Sequence, residues 1–283
     1  MQPLDTALFI LKHPLGRQRP VAALSRYIGW QIMSRFRDEL IINWIEGAVL
    51  GVKRGMTGVT GNIYCGLHEF TEMAFLLHLL RPGDLFLDIG ANVGSYTVLA
   101  SKVCGARSIA FEPDQAAVCS LLRNIALNRV TDLARVEQTA LGAYNGEIAF
   151  TVGLDTMNRV ATERNQKTQI VTIKRLDDVN GAAEAIFAKL DVEGYEDEVI
   201  SGSADTLASS NLLAIQCESH SPRVTDALME HGFVEYYYDP ESRTLSTEPY
   251  GYANSNALFV RDAAQIMLRV KGAPQRSVFG SWI

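Results

Sequence analysis

The stretch LFLDIGANVGSY, residues 85–96, constrains this chain more than any other part of it. An apolar run of strand length ends in Asp88 and then breaks at Gly90, Asn92 and Gly94, just before helix-like sequence. A carboxylate at the end of a buried strand is costly unless something pairs with it. Glycines beside it let the backbone approach a ligand without interference from Cβ. In an open parallel sheet, ligands sit at the carboxyl ends of the strands, where the strand order reverses. The stretch therefore reads as a ligand-holding strand–loop–helix.

Two nucleotide-type cofactors use such a loop. A dinucleotide site wants G-x-G-x-x-G, so that a pyrophosphate rests on the helix N-terminus. Here Asn92 stands in the second glycine's place and the pattern is D-x-G-x-N-x-G. An acid at the strand end suits a cofactor with a positive centre, and S-adenosylmethionine carries both a sulfonium and an amino group. The second strand, SIAFEPD, ends in Glu112, 22 residues after Gly90. An acid about 20 residues on is where doubly wound folds hold a ribose diol.

From Asp84 onward, strands and helices alternate. Strands are expected near 85–89, 107–112, 133–138, 186–191, 212–218, 233–238 and 256–261, with helices near 95–104, 114–128, 195–208 and 221–231. This order means an α/β fold with a parallel sheet, right-handed crossovers and helices on both faces. Residues 146–179 read as a β excursion with a polar loop at its tip. Upstream, residues 66–80 form an apolar-periodic helix stopped by Pro82 and Gly83, and LIINWIEGAVLGVKRG reads as a hairpin around Glu46-Gly47. Residues 21–36 place Val21, Leu24, Ile28, Ile32 and Phe36 on one helical stripe, expected to pack or to dimerise. Residues 262–283 read as a short helix followed by loose chain. The expected division is 1–63 as an N-terminal helix and hairpin extension (a lid or a dimer surface), 64–261 as the catalytic domain and 262–283 as a tail.

A formal net charge of −6 argues against nucleic acid as the main partner. Residues 1–60 nevertheless carry a local +4, leaving −10 for the rest, so peripheral contact with an anionic surface is open. No apolar run approaches the roughly 20 residues of a membrane span. No signal peptide is read, and the four scattered cysteines (Cys65, Cys104, Cys119, Cys217) are expected to be buried, reduced thiols of a cytoplasmic protein. Neither CxxC nor HxxxH spacing is present, so no metal site is assigned.

The segments FLDIGANVGSYTVLAS, AFEPD, LLRNIALN, TALG and KLDVEGYEDEVISGS together resemble the successive motifs of FkbM-type methyltransferases, in the same order and at similar spacing. The resemblance covers about residues 64–260. It implies the class I methyltransferase (Rossmann-like) fold, a seven-stranded, mostly parallel sheet whose last strand runs antiparallel. It also implies S-adenosylmethionine as methyl donor and a hydroxyl oxygen as acceptor. The lead-in GNIYCGLHEFTEMAFLLHLLRPGD is similar to that of members associated with carbohydrate modification. Carried over by position, Asp88, Gly90, Ala91, Asn92, Gly94 and Ser95 line the methionine and ribose part. Glu112 then holds the ribose diol, Pro113 and Asp114 flank the adenosine, and Gln138, Thr139 and Ala140 border the adenine. Asp114 reads equally as a helix N-cap.

KLDVEG supplies a second group of acids. Asp191 and Glu193 follow a buried strand, and QCESH brings Glu218 and His220 to the same rim. A sugar hydroxyl is a poor nucleophile, so a general base is expected, worth about 10²–10⁴-fold. Asp191 ranks first for that role, His220 is its main rival, and Glu193 and Glu218 complete the candidates. Asp191, Glu193 and Glu218 also offer oxygen ligands for Mg²⁺, although the acids are not dense enough to assign a metal. His68, Glu69, Asp155 and Asn158 are candidate acceptor contacts. The reading is an S-adenosylmethionine-dependent O-methyltransferase acting on a small hydroxylated metabolite or glycan, as a monomer or homo-oligomer. The alternatives are an NAD-linked oxidoreductase and a non-catalytic module that retains the fold.

Overall fold

In a computed structural model, residues 3–151, 159–160, 167–218, 221–249 and 256–283 are described. The centre is an eight-stranded sheet of order β12-β11-β13-β10-β9-β3-β4-β5. Its members are β3 (Leu85–Ile89), β4 (Arg107–Phe111), β5 (Ala134–Glu137), β9 (Phe187–Leu190), β10 (Ala214–Cys217), β11 (Val234–Asp239), β12 (Thr244–Ser246) and β13 (Ala257–Val260). β5, β4, β3, β9 and β10 are mutually parallel, and β13 runs antiparallel between β10 and β11. This is the seven-stranded class I methyltransferase order. β12 adds an eighth strand by turning back on β11. The chain winds outward from β3 in one direction and from β9 in the other, so the order reverses between them. That crevice is where an open sheet holds ligands.

β3, β9, β10 and β13 are buried throughout, which is why they read as continuous apolar runs rather than alternating ones. Alternation survives as a choice of face. Phe86 stacks on Phe187, ring centroids 5.2 Å apart, under helix α5 (Phe70–Leu79), which is buried over its whole length. Leu85, Leu87 and Ile89 face the other way, against α8 (Glu196–Ser201), α9 (Ala204–Ala208) and α10 (Pro222–Glu230). The expected single helix over 195–208 is two. Gly202 separates them, where an added Cβ would come within 2.0 Å of the Gly142 carbonyl oxygen. The helix expected over 95–104 is α6 (Ser95–Val98), continued by a π turn at Leu99–Val103. β6 (Ala140–Leu141), β7 (Gly146–Thr151) and β8 (Thr168–Lys174) make the side sheet of the β excursion.

The extension comprises α1 (Pro3–Lys12), α2 (Pro14–Gln18), α3 (Pro20–Met33), hairpin β1 (Glu39–Asn43) and β2 (Val49–Lys53), and α4 (Thr57–Cys65). The hairpin turns at Glu46 and Gly47, both at positive φ. It docks on α7 (Gln115–Asn128) through the two asparagines of RNIALN. Asn124 accepts from the Gly51 N–H at 2.7 Å, and Asn128 accepts from Val49 N–H at 2.8 Å.

Three expectations change. The packing half of the α3 expectation changes: of the stripe only Leu24 packs against the core, Val21, Ile28, Ile32 and Phe36 are exposed, and Ala23 and Trp30 are the buried residues. The C-terminal segment is not loose. After α11 (Ala263–Lys271), β14 (Ser277–Val278) and β15 (Ser281–Trp282) form a hairpin that buries Val278. Arg276 from this segment donates to Glu46 at 2.5 Å, and Arg26 lies over the Phe279 ring. Finally, Cys119 is exposed, whereas Cys65, Cys104 and Cys217 are buried, and all four are free thiols.

Candidate active site

At the β3–β9 crevice lies a cavity of about 590 Å³, within the range of small-molecule sites. One end is the loop after β3. Gly90, Asn92 and Gly94 all have positive φ, which Gly and Asn tolerate best. The Gly90 and Ala91 N–H groups both donate to the Phe111 carbonyl at 3.0 Å, tying this loop to the end of β4. A Cβ on Gly90 would come within 1.8 Å of the Asp191 carbonyl oxygen, so the β3 and β9 loops touch backbone to backbone. Asn124 donates to the Val93 carbonyl at 2.8 Å, linking cradle, α7 and hairpin.

Asp88 is buried and accepts from the Thr97 hydroxyl at 2.6 Å. Burial pushes its carboxyl up to about 6 against the pull of that bond. Glu112 accepts from the Asn92 N–H at 2.8 Å with one oxygen and from the Asp114 N–H at 2.9 Å with the other. It therefore shapes the loop as well as lining the cavity. Each oxygen keeps a second lone pair for a hydroxyl. Burial pushes Glu112 up to about 7, although the two amides draw it down. Ala91, Ser95, Pro113, Thr139 and Ala140 also line the cavity. Asp114 lines it too, and it caps α7 by accepting from Ala116 and Ala117 N–H at 2.9 Å. Gln138 is elsewhere: it is exposed and donates to Gln115. A loop with glycines at both ends and two buried acids, of which Glu112 can accept from a diol, fit an adenosyl sulfonium cofactor.

The other end gathers carboxylates. Lys189 and Asp191 are two residues apart on one strand path and so lie on the same side. They form an ion pair, and the Lys189 ammonium sits 4.6 Å from the centre of the Tyr96 ring. Burial opposes the ammonium, but Asp191 and Glu69 more than offset it, so Lys189 stays protonated. Burial alone would raise Asp191, yet Lys189 holds it below the usual carboxylate range. Glu218, at the exposed end of β10, is hydrogen-bonded to Asp191. Partial burial and the charges of Asp191 and Glu193 push Glu218 up to about 7. Oxygens of Asp191, Glu193 and Glu218 lie within 4.8 Å of one another, the arrangement a divalent cation would need. Glu193 itself is at φ 52, an uncommon conformation for a residue with a side chain. Buried Glu196 supports this loop by accepting from Val192 and Gly194 N–H.

Lys53, Met56 and Gly58 bring the extension to the cavity, and the residues just after α4 continue its wall. His68 and Glu69 line it, and Glu69 accepts from the Tyr96 hydroxyl at 2.5 Å. Buried Asn62 sets the pair: it accepts from the His68 N–H at 2.7 Å and donates to Ser95 Oγ at 3.2 Å. Sequence reasoning missed Lys189, Tyr96, Thr97 and Asn62. The K-x-D spacing was the available signal for the first, while the others are visible only through their partners. His220, Asp155 and Asn158 lie outside the described residues.

Strand order and cradle together define the class I methyltransferase architecture. Within it, residues 88–244 match the family profile of the methyltransferase FkbM domain, and the chain belongs to that family. It is 25% identical over 151 residues to hexuronic acid methyltransferase AglP of Haloferax volcanii, covering 52% of this chain and 62% of the relative. It is 28% identical over 175 residues to 31-O-demethyl-FK506 methyltransferase FkbM of Streptomyces tacrolimicus, covering 48% and 66%. The chain thus spans less than two thirds of the length of these curated relatives. Among solved structures, TYW2 of P. horikoshii in complex with MeSAdo aligns over 88% of this chain and 84% of that one, with a TM-score of 0.41 and 14% identity.

Cofactor affinity should follow the protonation of Glu112. Hydroxyl donors favour the charged carboxylate, whose proton is held with a pKa of about 7 before binding. Binding below neutrality therefore expels a proton. The S-adenosylmethionine dissociation constant should fall about tenfold from pH 6 to pH 8. Titration calorimetry across that range should show the slope, and Glu112→Gln should flatten it. For the cofactor-free fold, the same raised pKa stabilises at low pH, and that contribution is lost as pH rises through about 7.

Proposed function

We propose that this chain transfers a methyl group from S-adenosylmethionine to a hydroxyl oxygen of a sugar, glycan or other hydroxylated metabolite. The reading is carried by one juxtaposition: the Gly90–Gly94 cradle opens directly onto Glu218, whose carboxyl is pushed up to about 7 beside Asp191. The cofactor supplies an electrophilic methyl on a cationic sulfur. Asp88 and Glu112 hold its polar ends, and the Lys189–Asp191 pair fixes the charge around the reacting end. Glu218 would take the proton of the acceptor hydroxyl, and the methyl that replaces it would come from the bound cofactor, with S-adenosylhomocysteine as the leaving group. Positioning in line contributes most of the rate, and the base adds to it.

Charge narrows the acceptor. Glu69, Asp191, Glu193 and Glu218 line the cavity with two lysines, Lys53 and Lys189, the latter already paired with Asp191, and Arg159 acts on Glu193, so the acids remain in excess. A carboxylate acceptor would meet this negative field, so a neutral polyol is favoured over the carboxyl of a uronic acid. Asn92 in place of the second dinucleotide glycine supports S-adenosylmethionine over NAD.

The test is incubation with methyl-labelled S-adenosylmethionine and panels of neutral glycans, uronic acids and small polyols, with the product located by mass spectrometry. Label on a neutral hydroxyl is the expected result. Label on a carboxyl, or NADH binding without S-adenosylmethionine binding, would overturn the reading. In the same assay EDTA should leave the rate unchanged, because Lys189 pairs with Asp191 and so engages one of the three carboxylates a cation would need. Loss of activity that Mg²⁺ restores would place a cation on those carboxylates.

A further inference from the structure

Among the described residues, helix α3 shows solvent a face that no other element covers. Along its 14 residues the exposed positions are Pro20, Val21, Ala22, Ser25, Ile28, Ile32 and Met33, without a charge among them. Val21 is 81% exposed, and Phe36, just past the helix, 82%. A water-facing helix ordinarily carries its polar residues on that side. Here the inward side holds the charge: Arg26 donates to the Ile63 and Tyr64 carbonyls. α1, which packs against α3, adds exposed Leu4, Leu8 and Leu11 at helical spacing.

Charge brackets this face. Arg17 and Arg19 precede α3, Arg35 and Arg37 follow it, and all four are exposed. Asp38 is the one acid between residues 17 and 38. Against the net −10 of residues 61–283, the extension is the cationic end of a polarised molecule. A second copy docked on α3 with two-fold symmetry would bring arginines onto arginines. Antiparallel helices would set Arg17 and Arg19 beside Arg35 and Arg37, and parallel helices would set each pair beside itself. An anionic bilayer meets both demands, with acyl chains for the apolar stripe and phosphate or carboxylate headgroups for the arginines at its ends. At 14 residues α3 lies along a membrane rather than across it.

We propose that α3 and the exposed ridge of α1 form a peripheral docking face for an anionic phospholipid surface. The acidic catalytic part is repelled by the same charge, so the extension faces the bilayer and the rest of the chain faces away.

The experiment is co-flotation of the full chain with phosphatidylcholine vesicles, with and without phosphatidylserine. Phosphatidylserine should strengthen binding at least about tenfold at low salt, an effect that fades as salt screens the arginines. Ile28→Asp with Ile32→Asp should weaken binding by about tenfold or more, and Arg35→Gln with Arg37→Gln should remove the preference for phosphatidylserine. These positions are exposed, so thermal midpoint and cofactor affinity should be unchanged. Val21→Asp on the same face serves if the double variant misfolds. Absence of vesicle binding, or binding indifferent to the substitutions, overturns the proposal. So does a solution dimer that the aspartates dissociate, which would assign the face to a second copy.

Discussion

Glu218→Gln should lower kcat by about 10²–10⁴-fold, the usual contribution of a general base, with S-adenosylmethionine affinity nearly unchanged. Four acidic or basic groups compete for the role in the sequence; His220 lies outside the described residues, and among the three acids electrostatics favours Glu218 over Asp191. Asp191 is the poorer base because Lys189 holds its charged form in place. Glu218, hydrogen-bonded to that anion, is pushed up to about 7, where a carboxylate can both accept a proton and be half ionised at neutral pH. Since Glu218 must be charged to act, the rate should rise with pH through about 7. Asp191→Asn removes the neighbouring anion that disfavours ionisation, so the rising limb should move to lower pH. Stopped-time methylation assays from pH 5 to pH 9 would record both. Retained turnover in Glu218→Gln with an unmoved limb would place the base elsewhere.

The sheet was legible because its strands are buried on both faces and punctuated by Gly and Pro. The LFLDI and AKLDV runs could be located without knowing their neighbours. What a strand touches across its face was less legible. Lys189 reads as an ordinary charged interruption until Asp191 and the Tyr96 ring are seen around it. α4 was invisible: TGVTGNIYC has two glycines and two threonines, all weak helix formers. Packing requires it, since a Cβ on Gly61 would come within 2.5 Å of the His68 ring that lines the cavity. The α3 stripe shows a different limit. Periodicity identified an apolar face correctly but could not say whether protein or solvent lies beyond it. The tail misled because its anchors are distant in sequence: Arg276 reaches Glu46, and Val278 packs over Gly66.

The largest structural effect is expected from Gly90→Ala, which should lower S-adenosylmethionine affinity by more than about tenfold and fold stability by about 2–4 kcal/mol. Two costs combine. Gly90 is at φ 83, in the left-handed region, where alanine costs about 1–2 kcal/mol. Its Cβ would also overlap the Asp191 carbonyl at 1.8 Å, and that obstacle is backbone, which cannot rotate away. Gly83→Ala separates the two costs. It stands at φ 90 with nothing within 4 Å of an added Cβ, and it lies outside the cavity lining. It should show the conformational cost alone, with cofactor affinity intact. Urea denaturation and calorimetry on both variants make the comparison. If Gly90→Ala binds like the parent, the two loops are not in the contact described. If it loses affinity, turnover at saturating cofactor should fall as well, because displacing the β3 loop also displaces Asp191 and, through it, Glu218. Cofactor cradle and base would then be one mechanical unit joined at a single glycine.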